Sequence, residues 1–252
     1  MLKNPDSTSW GEVAAWYDEM LTDKNTFQLK VILPNLTRLL AIKKGEIVLD
    51  LACGTGFFAR AWKKQGAQVT GSDISKELIA IAKQQGRGIA YSINSADNLK
   101  TIVDQSIDKI SLVLAIQNIE NVDGVLSECQ RVLKVGGKLF MVINHPAFRV
   151  LKNSRWGWDQ AGIQYRRIDK YLTESKERIA MHPGDAPSVT TISFHRPLSF
   201  FFESIAKSGL CVGRLEEWIS HKISDSGPRA LAENVARQEI PMFMCLEIIK
   251  HG

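Results

Sequence analysis

Apolar and polar residues change period along this chain in a way that separates helices from strands. Residues 10–21 and 27–41 carry apolar side chains at helical spacing, and Pro34 bends or starts the second segment. Lys43, Lys44 and Gly45 end it. From residue 47, short apolar runs alternate with amphipathic segments. The pattern predicts strands over 47–51, 68–72, 89–93, 107–115 and 138–143, and helices over 57–65, 76–85 and 122–133. Gly136 and Gly137 turn the chain into the fifth strand. Such alternation with short connections predicts a mostly parallel sheet covered by helices on both faces. After residue 144 the rhythm breaks. Residues 144–196 are a long stretch of mixed structure, rich in aromatic and basic side chains, and its tryptophans argue against disorder. A helix over 197–208, a strand over 211–219 and a strand over 242–249 follow, with a short helix around 229–237 in the connection over 220–241.

The first strand runs into Asp50-Leu51-Ala52-Cys53-Gly54-Thr55-Gly56, and a helical pattern begins at Phe57. Glycine allows positive φ and close approach of a ligand to the backbone. Strand, glycine turn and helix together open a nucleotide-binding α/β domain. The stretch from Gly54 to Ala59 also fits the looser dinucleotide fingerprint, whereas no phosphate-binding Gly-x-x-x-x-Gly-Lys-Ser/Thr element is present. Asp50 discriminates. A carboxylate beside the turn repels a pyrophosphate and favours a ligand with an ammonium group. S-adenosylmethionine carries an α-amino group and a sulfonium and no phosphate. A second role also suits Asp50: a carboxylate at a helix N-terminus, satisfied by backbone amides. Asp73 ends the second strand about 20 residues past the glycines, where an acid accepts hydrogen bonds from ribose hydroxyls. It also suits a helix cap with Ser75, and a carboxylate has enough acceptor sites for both. Ser95-Ala96-Asp97-Asn98 follows the third strand, within reach of an adenine amino group. Gln117 and Asn118 follow the fourth, next to the point where ligands bind outside the carboxyl ends of the strands.

With these residues in place the chain resembles a class I S-adenosylmethionine-dependent methyltransferase of the broad type 11 kind. The matching pieces are Trp16-Tyr17-Asp18, the run from Val48 to Gly56, Asp73, Ser95-Ala96-Asp97-Asn98-Leu99 and Ile107-Asp108-Lys109-Ile110. They end with Glu128-Cys129-Gln130-Arg131-Val132-Leu133-Lys134-Val135-Gly136-Gly137. The likeness covers residues 10–145. It implies a Rossmann-like, doubly wound seven-stranded α/β sheet in the order 3-2-1-4-5-7-6, strand seven antiparallel, here with an inserted cap. It implies a cofactor site made of Tyr17, Asp50, Ala52, Cys53, Gly54, Gly56, Asp73, Ile74, Ser95, Ala96, Asp97, Leu114 and Gln117. Ser95 departs from the acid often found near the adenine, so Asp97 or the backbone takes that contact. Val135 replaces a frequent proline, which matters only to the turn. The later motifs His145-Pro146-Ala147-Phe148-Arg149, His195-Arg196-Pro197-Leu198-Ser199, Glu216-Glu217-Trp218 and Gly227-Pro228-Arg229-Ala230 resemble a bacterial and plant subgroup, and this likeness assigns no substrate.

Composition narrows the surroundings. With 252 residues, 44% of them hydrophobic, the chain is long enough for one domain with insertions. We divide it into N-terminal helices over 1–44, a cofactor core over 45–144, an inserted lid or substrate segment over 145–196, and a C-terminal helix with the last two strands over 197–252. The net charge of +5 is mild and its basic residues are dispersed, so a nucleic-acid partner is permitted but not indicated. Cys53, Cys129, Cys211 and Cys245 form no CxxC pair, which points to a reducing compartment and to neither disulfides nor a metal site. The first ten residues lack the apolar stretch of a secretory leader, and no apolar run is long enough for a membrane span. The expected setting is the cytoplasm; oligomeric state is left open.

Both long insertions rise from the carboxyl edge of the sheet, so they are the natural walls of a substrate pocket. Trp156, Trp158, Tyr165 and Tyr171 offer apolar walls or form the insertion's own core. Arg155, Arg166, Arg167, Arg196 and Arg229 offer charge to an acidic group. Methyl transfer requires alignment of the nucleophile and, for some acceptors, removal of its proton. His145, just past the fifth strand, is the candidate base; His182, His195 and His221 lie on the insertions, where packing and capping are equally available roles. The substrate candidates are thus Trp156, Trp158, Arg166, His195 and Arg229. The expected reaction is methyl transfer to oxygen or nitrogen of a small molecule. An RNA methyltransferase and a non-catalytic S-adenosylmethionine-binding protein are the alternatives; for the former, Gln117-Asn118-Ile119-Glu120 lacks the Asn-Pro-Pro-Tyr character of base-amino methylation.

Overall fold

The computed structural model describes residues 10–180 and 190–252. Strands β1 (Ile47–Leu51), β2 (Gln68–Asp73), β3 (Ala90–Ile93), β4 (Ile107–Val113), β5 (Leu133–Asn144), β10 (Leu210–Trp218) and β11 (Phe243–Lys250) make one sheet in the order β10-β11-β5-β4-β1-β2-β3. The first five run parallel, and β11 pairs antiparallel with both β5 and β10. This is the 3-2-1-4-5-7-6 arrangement.

β1 is buried on both faces, which is why it reads as a continuous apolar run. Leu49 and Leu51 join the larger core with α5 (Val122–Val132) and α6 (Leu198–Lys207). Val48 faces the other way, toward Phe58 and Trp62 on α3 (Phe57–Lys64) and Leu36 and Leu40 on α2 (Leu33–Leu40). A π-helical turn over Gln28–Ile32 leads into α2, with Pro34 in its first turn where a missing N–H costs nothing. Helix α1 (Ala14–Thr22) crosses the sheet's carboxyl end, and α4 (Lys76–Gln85) follows β2, capped by the Ser75 hydroxyl on the Leu78 N–H.

The long insertion contains two antiparallel hairpins. One joins β6 (Ser154–Trp158) to β7 (Gln164–Ile168), the other β8 (Ser175–Ala180) to β9 (Thr190–His195). The first packs against α7 (Ala230–Glu239), the second against the short 3-10 turn Ile116–Asn118 after β4. The described part of the mixed segment is therefore built on paired strands, and β9 matches the alternating stretch before His195. His182 lies outside the described residues. β5 starts at Leu133, five residues ahead of the sequence-based boundary, because Leu133 already pairs with Ile107 and Gly136 takes φ +78° inside the strand. Among the described residues, no helix is long and apolar enough to cross a membrane.

Three glycines surround the Tyr91 ring of β3. A Cβ at Gly71 would lie 2.5 Å from the ring and 3.0 Å from the Cys53 sulfur, and Cβ atoms at Gly56 and Gly86 would meet the Tyr91 hydroxyl. The ring cannot swing away from one without striking another. Gly71→Ala should therefore cost about 1–3 kcal/mol of unfolding free energy in urea titrations, as overpacking does, while Gly227→Ala, in open space, stays within about 0.5 kcal/mol. Equal midpoints for the two variants would contradict this packing.

Candidate functional site

The carboxyl ends of β1, β2 and β4 enclose a cavity of about 490 Å3, a size typical of small-ligand sites. Its wall is built in a ring. Ala52 and Gly54 come from the end of β1, Asp73 and Ile74 from β2, and Leu78 from α4. The loop from Asn94 to Asp97 follows β3, and Val113 to Ala115 end β4. Asn118 to Asn121 come next, then Thr191 and Ile192 of β9, with Trp10 and Tyr17 closing the remaining side.

The backbone is unusual where β1 and β4 end. Ala52 and Leu114 take φ +54° and +52°, beside Gly54 at +55° and Gly56 at +77°. Left-handed backbone at residues other than glycine is uncommon and clusters at ligand sites. The Tyr17 ring lies over Gly54, where an added Cβ would sit 3.3 Å from Cε1. Trp10 meets Tyr17 edge-on, ring centroids 5.5 Å apart. Ile74 is 54% exposed at the mouth and offers an apolar face.

Two carboxylates fix the turn. Asp73 Oδ2 accepts the Gly54 N–H at 2.9 Å and Oδ1 accepts the Ser75 N–H at 2.9 Å. Burial raises its pKa against these bonds. The Ile74 N–H also acts on this carboxylate, whose acceptor capacity exceeds these bonds, and the residue lines the cavity. Asp50 lies deeper. Its Oδ2 accepts the Ala59 N–H of α3 at 2.9 Å, and its Oδ1 accepts the Ser111 hydroxyl at 2.8 Å. Ser111 Oγ in turn accepts the Trp62 indole N–H at 2.9 Å. Register makes this possible, because Asp50 stands beside Ser111 in the β1–β4 ladder. With 2% exposure, Asp50 is pushed up to about 7 by burial, against the Ser111 and Ala59 bonds. Tyr17 is raised to about 12 by burial, with Asp73 and Asp50 adding to it. In the loop after β3 the Ser95 hydroxyl donates to Asp97 and holds that carboxyl below the usual range; Asn121 donates to its other oxygen at 2.9 Å.

Of the expected cofactor residues, Tyr17, Ala52, Gly54, Asp73, Ile74, Ser95, Ala96, Asp97 and Leu114 line this cavity. Asp50, Cys53 and Gly56 lie beneath the turn: Asp50 in the carboxylate role a helix start allows, Cys53 buried, Gly56 against Tyr91. Gln117 faces a smaller neighbouring pocket. The structure does not bring the expected substrate and catalytic residues to the cavity. His145 is 2% exposed; its Nε2 donates to Glu217 Oε1 at 2.6 Å and its Nδ1 accepts the Ala147 N–H at 3.2 Å. Burial lowers its pKa more than Glu217 raises it, so the ring is neutral and joins β5 to β10. The Arg166 guanidinium lies 5.1 Å from the Trp156 ring centroid, and that of Arg229 lies 5.1 Å from Trp158. Arg166 also spends donors on the Phe148 carbonyl and Ser154. The first pair is the insertion's own packing, and the second joins it to the connection over 220–241. His195 Nε2 bonds the Tyr171 carbonyl at 2.7 Å and borders the smaller pocket.

Sequence reasoning placed Asn118 at the ligand edge but missed Trp10, Leu78, Ile119 to Asn121 and Thr191-Ile192 as wall residues. The hairpin had one signal, the alternation ahead of His195; the rest are set by the tertiary path. Asn118 is notable because its buried Oδ1 has no hydrogen-bond partner, a cost that a ligand donor would relieve. The cavity is also one-sided in charge. Asp73, Asp97 and Glu120 line it, and no lysine, arginine or histidine among the described residues does.

Residues 49–141 match the methyltransferase domain family. A malonyl-[acyl-carrier protein] O-methyltransferase of Hamiltonella defensa is 38% identical over 130 residues, 52% of this chain and 49% of that protein. A demethylmenaquinone methyltransferase of Tropheryma whipplei is 35% identical over 113 residues, 43% of this chain and 46% of that protein. The chain thus spans about half the length of the curated relatives it matches. Among solved structures, an S-adenosylmethionine-dependent methyltransferase of Mesorhizobium loti superposes with TM-score 0.70 at 25% identity, over 86% of this chain and 96% of that one. Residues 49–141 thus carry a methyltransferase domain, and the chain has the fold of the S-adenosylmethionine-dependent methyltransferase family. The cofactor of that family is S-adenosylmethionine.

The buried Asp50 carboxyl makes stability depend on pH. Its folded pKa of about 7 lies above the ordinary value of 3.8. Its contribution is therefore full below pH 3.8 and is lost as pH rises through 7, since the folded state holds the proton longer. Relative to Asp50→Asn, the wild type should lose stability between about pH 4 and 7 and level off above. Urea titrations across that range check this; parallel curves for the two proteins would contradict it.

Proposed function

We propose that the 490 Å3 cavity holds S-adenosylmethionine and that the chain transfers its methyl group to an oxygen or nitrogen of a small organic acceptor. The observation that carries this reading is the charge of the wall. Among the described residues its lining holds three carboxylates and no basic side chain, which suits a cation without phosphates and disfavours a dinucleotide. The relatives named above, methyltransferases of carrier-bound or quinone-precursor acceptors by name, support a small acceptor.

In this reading Asp73 accepts the ribose hydroxyls with its remaining acceptor capacity, and the Ser95–Asp97 loop meets the adenine edge while Ile74 covers its face. Tyr17 and the Gly54 turn hold the amino-acid end, and Asn118 Oδ1 takes a donor. Asp50 acts through the turn, shaping it from below. When bound, the cofactor supplies a methyl group already activated by its sulfonium. The chain's part is to align an acceptor and exclude water, for which Thr191 and Ile192 on the β8–β9 hairpin are placed. His145, tied to Glu217, serves as a positioning residue at the end of β5. We take residues 1–252 as a single methyltransferase domain, with 1–44 and 45–144 building the cofactor site and 145–196 and 197–252 the acceptor side. The cytoplasm is the proposed location, supported by four free cysteines, three of them buried.

Calorimetric titration tests the reading: S-adenosylmethionine and S-adenosylhomocysteine should bind and NAD should not. Asp73→Ala should weaken both by about ten- to a hundred-fold, the usual loss for a charge-assisted contact. Unchanged affinity with only a lowered melting temperature would leave Asp73 as a cap alone.

A further inference from the structure

Beside the acidic cavity lies a second, small pocket of the opposite character. Its volume is about 30 Å3, and it sits over the ends of β4 and β5, bordered by Gln117, Asn144, Arg149, His195 and Arg196. The two pockets share walls: Asn118 faces the cavity and Gln117 the pocket, and on β9 Ile192 faces the cavity while Ser193 borders the pocket. Their nearest walls are thus about one or two residues apart, roughly 3–7 Å of strand.

Among the described residues, neither Arg149 nor Arg196 in the small pocket forms an ion pair. Arg196 is 5% exposed; its Nη2 donates to the Glu120 carbonyl at 2.9 Å, and its Nη1 is buried with no partner. Phe194 and Phe200 flank the guanidinium, with ring centroids 4.5 and 5.1 Å away. The nearest acids that act on it, Glu174 and Glu120, offset its burial without forming an ion pair. Arg149 is lowered to about 10, chiefly by burial and in part by neighbouring Arg166. Among the described residues its guanidinium has neither a hydrogen-bond nor an ion-pair partner. Two partly desolvated cations facing one space are costly unless an anion joins them.

We propose that this pocket is a subsite for a carboxylate carried by the methyl acceptor, so that the substrate is a small organic acid. This rests on the methyltransferase reading of the neighbouring cavity. The size fits: holding one water takes about 10–15 Å3, so 30 Å3 admits about two oxygen-sized atoms. The guanidinium fork matches the two oxygens of a carboxylate. With the carboxylate over β5, the remainder of the acid extends along β9 toward the cavity, where an acceptor oxygen or nitrogen meets the methyl group. The sequence suggested arginines for an acidic group; the fold assigns the task to Arg149 and Arg196, while Arg166 is spent on Trp156, Phe148 and Ser154.

The test uses acetate as probe and acetamide as its uncharged control. Saturation-transfer NMR on the full chain, with and without S-adenosylhomocysteine, should give millimolar binding of acetate and none of acetamide. Arg149→Gln should weaken acetate binding about ten-fold or more. Arg196→Lys, which keeps the charge and loses the fork, should weaken it too. Affinity for S-adenosylhomocysteine, measured on the same samples, should stay at the wild-type value and certifies folding. In a second arm, small-molecule extract is split by anion exchange and each fraction is incubated with methyl-labelled S-adenosylmethionine. Label should enter the anion-retained fraction with wild type and fall at least ten-fold with Arg149→Gln. Acetate binding no stronger than acetamide, or equal in Arg149→Gln, overturns the subsite, as does acceptor activity confined to the unretained fraction. Absence of S-adenosylhomocysteine binding would instead overturn the reading of the larger cavity, leaving the acetate arm to decide the pocket.

Discussion

A carboxyl group with almost no access to water sits at the centre of this fold. Ionised and unpaired, it would cost several kcal/mol. Asp50 is kept there by the Ala59 N–H at the start of α3, the Ser111 hydroxyl on β4 and, through that hydroxyl, the Trp62 indole. These bonds tie β1, β4 and α3 at one point, just before the chain turns through Ala52, Gly54 and Gly56 at positive φ. Asp73 repeats the device one strand over, joining the Gly54 turn to the start of α4. The rigid rim around the cavity follows from these two buried acids. A side chain without an acceptor oxygen at either place would leave backbone donors unpaired where water cannot reach them.

Two pockets of opposite charge share the carboxyl edge of the sheet. The acidic one is built from the ends of β1, β2 and β4, the basic one from the ends of β4 and β5 and from β9. The β8–β9 hairpin borders both, so its placement decides how a cationic cofactor and an anionic acceptor would meet. Ser193 fastens the hairpin to the Gln117 carbonyl and Arg196 fastens it to that of Glu120. The other hairpin takes no part in either wall; its tryptophans are occupied with Arg166 and Arg229.

The parallel strands were legible in the sequence because apolar runs, helical spacing and glycine turns agree with one another from residue 47 to 144, while the strand order was implied by the family resemblance. The rim was legible for the same reason: each of Gly54, Asp73, Ser95 and Leu114 lies at or just past the end of a parallel strand. Asp50 shows the limit. Its sequence position allows either a ligand contact or a bond to a helix start, and only the register with Ser111 and the reach of the Ala59 N–H separate the two. His145 likewise stands next to the right strand end, yet its ring turns to Glu217, 72 positions away in sequence. Trp156 and Trp158 were candidate walls by composition, but cross-strand pairing sets Trp156 against Arg166. The alternation ahead of His195 marks Thr191 and Ile192 as strand residues, but long-range packing alone brings them and Arg149 to their pockets.

The central claim is that one acidic cavity, shaped from below by Asp50 and lined by Asp73, binds the cofactor. A crystal structure with S-adenosylhomocysteine tests it most directly. The account predicts ribose hydroxyls on Asp73, adenine between Ile74 and the Ser95–Asp97 loop, and Asp50 still bonded to the Ala59 N–H and Ser111. Ligand outside this cavity, or Asp50 turned out to meet the ligand's amino group, would contradict it.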